Sequence, residues 1–501
     1  AQSLGLPFWD IDAEIESACG MTITEIFSQQ GESVFREYEH KILDEILQYN
    51  RGVVALGGGA LLDPHNRATV EKKGRIICLH APFAILLNRV MQAANQRPLL
   101  GSLQIDVDGI REKLDSLLER RAGHYASFPN QLDTGNLSPE NSAWQAQILL
   151  GYFRVRGIDR EYTVLVRQGL LDQAGKAWET VGLQGPIALV SDENVVQLYG
   201  PKVMTALQDS HYLVRQVVLQ PGEESKSAST LATLWSHLID MGLERGSSVA
   251  ALGGGVITDL AGFAAATLLR GIAWAAIPTS LLAMCDASIG GKTGIDLPQG
   301  KNLVGAFHSP SLVLADTGTL ASLPLDELRN GMAEVIKAGM IGDAVLFELC
   351  EQGWETVKNC WSEIVSRAAA VKIQLVQEDR LERDRRAALN LGHTLGHAIE
   401  WASNYRLKHG ESVAIGMTYA ARLASKLGLA EPALEERIAN VLRQFDLPTR
   451  IPASLSMEKI LTGLSVDKKR VAGKIRFTLP IRIGEVQHGL IVEEKSICEL
   501  F

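Results

Sequence analysis

The sequence predicts an α/β protein made of three successive segments. Strand-like and helical stretches alternate over residues 1–157, and the alternation starts afresh over residues 158–322 around the triplet Gly253–Gly255. Residues 323–501 are mainly helical in pattern and carry three closely spaced histidines. Alternating strands and helices favour a mostly parallel sheet. We therefore expect an α/β segment, then a Rossmann-like nucleotide-binding α/β domain, then a helical domain that binds metal and substrate.

The composition is that of an ordinary globular protein, with 46% hydrophobic and 21% charged residues. A net charge of −9 argues against nucleic acid or an anionic membrane surface as the main partner, which leaves small molecules. No apolar run reaches the roughly 20 residues of a membrane span, and no signal-peptide pattern is present. Six cysteines without a C-x-x-C pair are typical of reduced thiols in the cytoplasm. Because the chain starts at Ala1 in a helix-like stretch, we expect a fragment of a longer protein.

The first segment has strand-like stretches that end in residues suited to ligand binding. In WDID, Asp10 and Asp12 alternate around Ile11, which predicts both carboxylates on one side of a strand. The buried stretch VVAL runs into Gly57–Gly59, and a glycine turn at the carboxyl end of a strand offers backbone N–H groups to a ligand. The segment also contributes three arginines: Arg36, Arg97 and Arg121.

These motifs resemble the shikimate kinase family over almost the whole segment. The matches stand in the family's order: D-I-D at 10–12, G-E-x-x-F-R at 31–36, G-G-G at 57–59, R-P-L-L at 97–100 and R-x-x-x-Y at 121–125. The resemblance implies a partial P-loop-kinase-like α/β fold. It implies that Arg97 lies in the lid over ATP and Asp10 near Mg2+. Shikimate would be held by Asp12, Arg36, Gly58, Gly59 and Arg121.

One part of that family's pattern is missing from the sequence. The family holds the β- and γ-phosphates of ATP with G-x-x-x-x-G-K-[ST], expected just upstream of LGLPF. No complete copy occurs, and GGKTG at 290–294 lies in a different domain. We therefore expect no or negligible kinase activity from the chain as written, and a bifunctional protein if the natural chain carries the loop.

The second segment combines a glycine-rich turn with charged residues after strands. GGGVITD at 253–259 can seat a pyrophosphate on free backbone amides, although the G-x-G-x-x-G fingerprint is absent. Asp192, and Glu223 with Lys226, follow other strands, where carboxylates bind ribose hydroxyls or simply cap a helix. The long loop after AIPTS and a helix end predict an anion site for a phosphorylated or carboxylated substrate, formed by Lys292, Lys301, Asn302 and Arg270.

A histidine-rich stretch in the third segment predicts a metal site. In the stretch Arg386–His409, offsets of 4, 3 and 4 would place four side chains on one face of a helix: Arg386, Asn390, His393 and His397. A helix is expected over residues 387–405. Gly392 and Gly396 disfavour a helix, which suggests that something approaches the backbone closely there. His409 follows nearby. Three imidazoles at this spacing are metal ligands, acid/base groups or both.

A further ligand has to come from another part of the chain. The best candidate is Glu334, a polar residue in the otherwise apolar helical stretch GMAEVIKAG, with Lys337 near the same face. Spacing alone leaves the pair His393 and His397, four residues apart, as possible ligands.

Residues 160–501 resemble the 3-dehydroquinate synthase family closely. The motifs in family order include PGEESK, GGGVITDLAGFAAATLLRG, IPTSLLAMCDASIGGKTGID, GKNLVGAF, GMAEVIKAG, LNLGHTLGHAIE and KHGESVAIGM. The resemblance implies conversion of 3-deoxy-arabino-heptulosonate 7-phosphate to 3-dehydroquinate and phosphate, with catalytic NAD and Zn2+ or Co2+. The whole chain then resembles a fusion of shikimate kinase with 3-dehydroquinate synthase.

The second resemblance implies a role for each matching residue. The metal ligands would be Glu334, His393 and His409, with His397 left to handle the substrate phosphate or a proton. NAD would contact Asp192, Pro221, Gly222, Glu223, Glu224, Ser225, Lys226, Gly255, Val256, Ile257, Thr258, Asp259, Thr279, Ser280, Lys292, Lys301, Thr319, Leu320, Ala321 and Ser322. The substrate would contact Asp286, Lys292, Asn302, Lys337, Lys372, Arg386, Asn390 and one of Lys468 and Lys469. Arg270 would reach a phosphate in a neighbouring subunit, which implies a homodimer.

Two other functions fit parts of the sequence. A metal-dependent NAD polyol or alcohol dehydrogenase shares the glycine turn and a metal in a helical domain, but a neutral polyol needs no anion site. A non-catalytic interpretation treats residues 1–155 as a module that binds shikimate without turnover.

Overall fold

The computed structural model describes residues 1–49, 51–92, 107–466, 475–493, 496–497 and 499–500. The chain divides into two compact units, here called unit 1 (Ala1–Leu150) and unit 2 (Gly151–Phe501). The predicted domain boundaries, after residues 157 and 322, both fall within unit 2. Three residues with predicted roles lie outside the described residues: Arg97, Lys468 and Lys469.

Unit 1 alternates short strands with helices. Its described strands are β1 (Phe8–Asp10), β2 (Val53–Ala55), β3 (Cys78–His80) and β4 (Gln131–Asp133). Its described helices are α1 (Ile11–Cys19), α2 (Ile23–Gln29), α3 (Glu32–Ile46), α4 (Pro64–Lys73), α5 (Phe83–Gln92), α6 (Val107–Ala126) and α7 (Pro139–Leu150). β1 pairs with β2 and β3 pairs with β4, in both cases in parallel, as two separate two-stranded sheets.

The apolar core of unit 1 forms between its first helices and β2. Ile11, Ile15 and Leu43 are almost fully buried there and pack with neighbouring apolar side chains. The strands are less well covered, because Phe8 in β1 is 57% exposed and Leu79 in β3 is 65% exposed. The helices therefore contribute most of the buried apolar surface of this unit.

The start of α1 shows that one prediction is wrong. β1 ends at Asp10 and the helix begins at Ile11, so Asp10 and Asp12 do not share one side of a strand. The carboxylate of Asp10 instead accepts hydrogen bonds from the N–H groups of Asp12 at 3.1 Å and Ala13 at 3.4 Å. A carboxylate in this position satisfies donors that have no partner within the helix. Four residues of alternation cannot distinguish a strand from a strand–helix junction.

Unit 2 contains a large sheet, two hairpins and a layer of helices. Its described strands are β5 (Tyr152–Arg156), β6 (Glu161–Arg167), β7 (Ile187–Asp192), β8 (Val214–Leu219), β9 (Ser248–Gly253), β10 (Ala273–Pro278), β11 (Lys292–Leu297), β12 (Gly300–Phe307), β13 (Leu312–Asp316), β14 (Ile475–Arg482) and β15 (Glu485–Val492). Its described helices are α8 (Ala174–Thr180), α9 (Glu193–Asp209), α10 (Ala228–Asp240), α11 (Gly255–Thr267), α12 (Leu325–Gly342), α13 (Ala344–Glu351), α14 (Gly353–Asn359), α15 (Trp361–Glu378), α16 (His393–Ala402), α17 (His409–Lys426), α18 (Ala433–Gln444) and α19 (Met457–Val466). None of the helices in the described part of the chain has both the length and the apolar character needed to cross a membrane.

The seven-stranded sheet has the order β5-β6-β13-β10-β9-β7-β8, and only β5 and β6 pair antiparallel. Every residue of β7, β9 and β13 is buried, as expected for parallel strands covered by helices on both faces. The carboxyl ends of these strands meet at one edge, where the chain leaves β7 at Asp192 and β9 at Gly253. The predicted Rossmann-like α/β layer is confirmed, and the long loop predicted after β10 contains the antiparallel hairpin β11–β12.

The helix predicted over residues 387–405 begins only at His393. Arg385–Asn390 form a separate 3-10 turn, and Gly392 adopts a left-handed conformation with φ of 76°. The close approach that the glycines suggest comes from α17: a Cβ on Gly392 would lie 2.8 Å from the carbonyl oxygen of Val413. A Cβ on Gly416 would lie only 1.9 Å from the carbonyl oxygen of Gly392. Two glycines thus let α16 and α17 start side by side, each with a histidine at its first residue.

We expect Gly416→Ala to lower the free energy of unfolding of unit 2 by roughly 1–3 kcal/mol, because the added methyl group must push the two backbones apart. Urea denaturation followed by circular dichroism measures the change. Gly246→Ala is the matched control, since a Cβ at Gly246 meets no atom within 4 Å. Equal stability of the two variants would contradict this account of the packing.

Candidate active site

Three potential metal ligands converge in the helical layer of unit 2. Glu334 lies in α12, while His393 and His409 are the first residues of α16 and α17. Nε2 of His393 and Nε2 of His409 each lie 3.6 Å from Oε1 of Glu334. Ligand atoms about 2.0–2.2 Å from one tetrahedral zinc ion lie roughly 3.3–3.6 Å from each other. The spacing therefore fits a single divalent ion between the three side chains.

Hydrogen bonds at the other ring nitrogens orient the two imidazoles toward this point. Nδ1 of His393 lies 3.1 Å from the carbonyl oxygen of Leu391, and Nδ1 of His409 lies 3.3 Å from Oε2 of Glu400. A carbonyl oxygen and a carboxylate oxygen only accept, so each Nδ1 carries a proton, and in the neutral ring each Nε2 offers a lone pair. Such acceptors behind the ring are the usual partners of metal-bound histidines.

The carboxylate of Glu334 is buried and only partly satisfied. Its Oε2 is paired with Nζ of Lys337, whereas Oε1 has no hydrogen-bond partner among the described residues. Burial opposes ionisation, but Lys337 and His409 lower the pKa of Glu334 to about 2. A buried ionised oxygen without a partner is unfavourable unless a cation lies against it. One carboxylate and two imidazoles are a donor set that suits Zn2+ or Co2+.

The charge on His409 is determined by the carboxylates around it. Burial disfavours the imidazolium form, yet the carboxylates of Glu334 and Glu400 raise the pKa of His409 to about 9. The two carboxylates therefore favour positive charge between them, whether it is carried by a proton or by a divalent cation. A metal ion that binds here must replace that proton.

A second possible ligand group overlaps the first. His397, Glu400 and His409 also offer three atoms within 4.8 Å of one another. Glu400, however, already faces Nδ1 of His409 and pairs with Lys301 at 3.4 Å. The exposed ring of His397 lies 5.1 Å from that of His393, centroid to centroid. His397 is therefore adjacent to the candidate metal position without belonging to the better-formed ligand group.

The glycine-rich edge of the sheet lies at the start of α11. The N–H group of Thr279 donates to the carbonyl oxygen of Gly253 at 3.0 Å, which ties the ends of β9 and β10 together. Ser280 Oγ accepts a 3.3 Å hydrogen bond from Ala283, and Thr258 Oγ1 donates to the Gly255 carbonyl at 3.0 Å. Both hydroxyls serve the local backbone, and Thr258 fits within the first turn of the helix. Val256 and Ile257 complete that turn.

The carboxylates predicted at the strand ends have different surroundings. Asp192 accepts hydrogen bonds at 3.0 Å from the N–H groups of Asn194 and Val195, so the helix-cap alternative is present in the structure. Glu223 lies in a short 3-10 turn, Glu223–Ser225, which follows Pro221 and Gly222 and also contains Glu224. Burial, and to a lesser degree Asp296, raise the pKa of Glu223 against the opposing effect of Lys301 and Lys226.

Lys226 connects three segments at this edge. Its Nζ donates to Oδ2 of Asp259 at 2.6 Å and to Oδ1 of Asn302 at 2.5 Å. Asn302 adopts a left-handed conformation with φ of 54°, and its N–H donates to Asp296 at 2.7 Å. The predicted residues of the glycine turn, the PGEESK turn and the β11–β12 hairpin are thus brought together.

The cations predicted for substrate are paired with carboxylates in the structure. Lys372 pairs with Asp286, and Lys292 pairs with Glu382. Lys372 holds the pKa of Asp286 below its usual range although burial opposes this. A small cavity beside the pair of Lys372 and Asp286 is lined by Cys285, Asp286, Glu334, Lys337, Ala338, Ala368, Val371, Lys372 and Leu389. Two of the predicted substrate cations, Lys337 and Lys372, therefore share this cavity with the candidate metal ligand Glu334.

The other predicted residues lie at varied positions. Arg386 is almost fully buried, and its guanidinium packs against Gly290, where a Cβ would lie 2.5 Å from Nη2. Asn390 is half-buried at the end of the 3-10 turn. Arg270 is exposed in a left-handed conformation with φ of 67° and is not joined to the group above. The turn after β13 contains the last four predicted NAD contacts: Thr319, Leu320, Ala321 and Ser322.

Several residues that contribute to the candidate site are not among the predicted site residues. Glu400 is the most important, because it orients His409 and pairs with Lys301. Its position three residues after His397 on the same helix is a signal that sequence analysis could have used. Glu382, Asp296 and Tyr162, whose hydroxyl accepts from the Gly290 N–H at 3.1 Å, approach only through tertiary folding.

Unit 1 brings the predicted shikimate residues together. A Cβ on Gly59 would lie 2.9 Å from Nη2 of Arg36 and 3.4 Å from Nη2 of Arg121, and one on Gly58 would lie 3.7 Å from Nη1 of Arg121. Asp12 lies beside the same turn, with Oδ1 3.7 Å from a Cβ placed on Gly57. Two guanidinium groups over a glycine backbone form a cradle suited to a small carboxylate.

Comparison with known proteins matches this chain to two families. A family model for the N-terminal part of 3-dehydroquinate synthase matches residues 216–330, and one for its C-terminal part matches residues 331–470. A 3-dehydroquinate synthase from Synechococcus is 44% identical over 334 residues, which cover 65% of this chain and 91% of the relative. The chain belongs to the 3-dehydroquinate synthase family. Residues 1–149 match the family model for shikimate kinase.

Solved structures similar to this chain include two synthases determined with NAD+ and a divalent metal. A 2-deoxy-scyllo-inosose synthase complexed with carbaglucose-6-phosphate, NAD+ and Co2+ has a TM-score of 0.63 and 26% identity, and the match covers 70% of this chain and 98% of that one. A 2-epi-5-epi-valiolone synthase from Streptomyces hygroscopicus with NAD+ and Zn2+ has a TM-score of 0.62 and 29% identity over the same shares. Both resemblances to known families that the sequence suggests are confirmed.

We expect His393→Ala to lose stoichiometric metal, because one of three ligands disappears, whereas His397→Ala keeps the metal but turns over more slowly. Metal content after dialysis, measured by inductively coupled plasma mass spectrometry, separates the two variants. His397→Ala is the matched control, since its ring lies one helical turn away. Equal metal loss in both variants would reverse the ligand assignment.

Proposed function

We propose that the chain converts 3-deoxy-arabino-heptulosonate 7-phosphate to 3-dehydroquinate and phosphate, with NAD and a divalent metal as cofactors. Membership of the 3-dehydroquinate synthase family supports the reaction. The observation that carries the cofactor assignment is Oε1 of Glu334, a buried oxygen 3.6 Å from two imidazole nitrogens and without a hydrogen bond in the described residues. The similar synthase structures with NAD+ and Co2+ or Zn2+ support the same pair of cofactors.

The two cofactors would supply the chemistry that side chains cannot. A divalent metal held by Glu334, His393 and His409 would supply Lewis acidity. NAD held at the glycine turn, Gly253–Gly255, would supply reversible hydride chemistry, so that the reaction would have no net redox change. The protein contributes position, because one flexible substrate must face both groups at once.

In this proposal, substrate binding exchanges one anion for another at two lysines. Lys372 and Lys292 are paired with Asp286 and Glu382, so a substrate carboxylate or phosphate must replace these partners when it binds. Exchange of one anion for another keeps each ammonium group paired throughout, which limits the cost of desolvation. Lys337, Arg386, Asn390 and Asn302 complete the proposed substrate contacts.

His397 has the position of a proton-handling group. It is exposed, and its ring lies beside those of His393 and His409, at centroid distances of 5.1 and 5.8 Å. A neutral imidazole there can accept a proton from the substrate or bind its phosphate. Arg270, exposed and without an ionic partner among the described residues, is suited to a phosphate bound in a second copy of the chain. We therefore propose a homodimer, located in the cytoplasm.

We expect the purified enzyme with NAD and Zn2+ to release one phosphate per substrate without accumulation of NADH. Phosphate is measured colorimetrically and NADH by absorbance in the same cuvette. Enzyme stripped by a chelator is the control and should release no phosphate until metal is restored. Stoichiometric NADH would instead indicate a polyol or alcohol dehydrogenase, and full turnover without metal would exclude the Lewis-acid role.

Unit 1 should bind shikimate but not phosphorylate it. Arg36, Arg121 and the glycine turn offer the carboxylate cradle, but residues 1–501 contain no complete G-x-x-x-x-G-K-[ST] to hold ATP with Mg2+. We expect no ADP above background when shikimate, ATP and Mg2+ are added. Calorimetry should detect shikimate binding that Arg36→Ala abolishes. ADP formation at an ordinary kinase rate would disprove the proposal.

A further inference from the structure

A second group of candidate metal ligands lies in unit 1, outside both predicted sites. His40 and Asp44 lie one turn apart in α3, and His65 is the second residue of α4. One ligand atom from each lies within 4.8 Å of the other two. Residues four apart face the same side of a helix, so α3 supplies two possible ligands and α4 supplies the third.

Hydrogen bonds determine which nitrogen of His40 is available. Its Nδ1 lies 2.7 Å from Oδ1 of Asn66, while Nδ2 of the same buried amide donates to the carbonyl oxygen of Ala60 at 3.1 Å. This second bond fixes the amide orientation, so Oδ1 is the acceptor and Nδ1 of His40 carries the proton. In the neutral ring Nε2 then offers a lone pair, 3.6 Å from Oδ2 of Asp44. Two acceptors that face each other at this distance favour a cation between them.

The third ligand is held in place by the start of α4. The side chain of Asp63 accepts hydrogen bonds at 2.9 Å from the N–H groups of His65 and Asn66, which fixes the backbone that carries the imidazole. The ring of His65 lies 4.5 Å from that of His40, centroid to centroid, and is tilted by 50°. The carboxylate of Asp63 also adds a second negative charge beside the two imidazoles. Backbone geometry and charge therefore both favour a dication.

We propose that His40, Asp44 and His65 bind one divalent transition-metal ion, with water in the remaining coordination positions. Two imidazoles and one carboxylate favour Zn2+, Co2+ or Ni2+ over Mg2+ and Ca2+, which prefer oxygen ligands. The side chains of His40 and Asp44 are 40% and 44% exposed, so water can reach the ion. The ion ties α3, which also carries Arg36, to α4. Its role is to clamp these two helices together.

The test counts zinc ions bound by the full chain after it has been stripped with a chelator and dialysed. In a His393→Ala/His409→Ala background, which removes the candidate catalytic metal, titration against a chromophoric zinc indicator should still give one Zn2+ per chain. Adding His65→Ala should remove that ion, while adding His80→Ala, which deletes another exposed imidazole of unit 1, should retain it. Asp44→Asn should weaken zinc binding at least tenfold. This second variant keeps the test valid if His65→Ala does not fold.

In this experiment, loss of one metal site can be distinguished from loss of the other. With the native residues present, two zinc ions per chain are expected, and either set of substitutions removes one. A background variant that binds no zinc, or unchanged stoichiometry in both His65→Ala and Asp44→Asn, would overturn the proposal for unit 1. Neither result would bear on Glu334 and the catalytic reaction. Circular dichroism spectra of the variants confirm that each retains its helices.

Discussion

The candidate active site of unit 2 depends on one buried carboxylate. Glu334 lies in the apolar helix α12, where an ionised group is costly, and only one of its oxygens is neutralised by Lys337. The other oxygen faces two imidazoles that open two different helices. The tight contact between Gly392 and Gly416 brings those helix starts together. The packing of the helices and the charge of Glu334 therefore define one position, which a divalent cation would fill.

The sequence predicts much of this arrangement, because the relevant signals are local or belong to recognisable motifs. Buried strands that run into glycine turns identify the sheet edge at Gly253, and the polar residue in an apolar helix identifies Glu334. Periodicity alone gives the wrong extent for the helix that carries His393, since it cannot anticipate the left-handed Gly392. The same limitation affects Asp10, whose alternation with Asp12 resembles a strand although it caps a helix.

Other features depend on contacts between distant parts of the chain. Glu382 reaches Lys292 and Asp286 reaches Lys372 only after the helical layer packs on the sheet. Neither periodicity nor motifs predict such pairs, because the two partners of each pair are about ninety residues apart in the sequence. These carboxylates also neutralise the lysines of the site before an anion binds. In the proposed function, a substrate anion would take the place of these carboxylates instead of meeting unpaired charges.

The strands of unit 1 have a consequence for how this protein behaves at high concentration. Its two parallel ladders contain only two strands each among the described residues, and apolar side chains such as Phe8 and Leu79 remain largely uncovered. Short ladders of this size are marginal without further strands, and their open backbone groups are templates for pairing with another extended chain. Self-association is therefore expected at these open strand edges of unit 1.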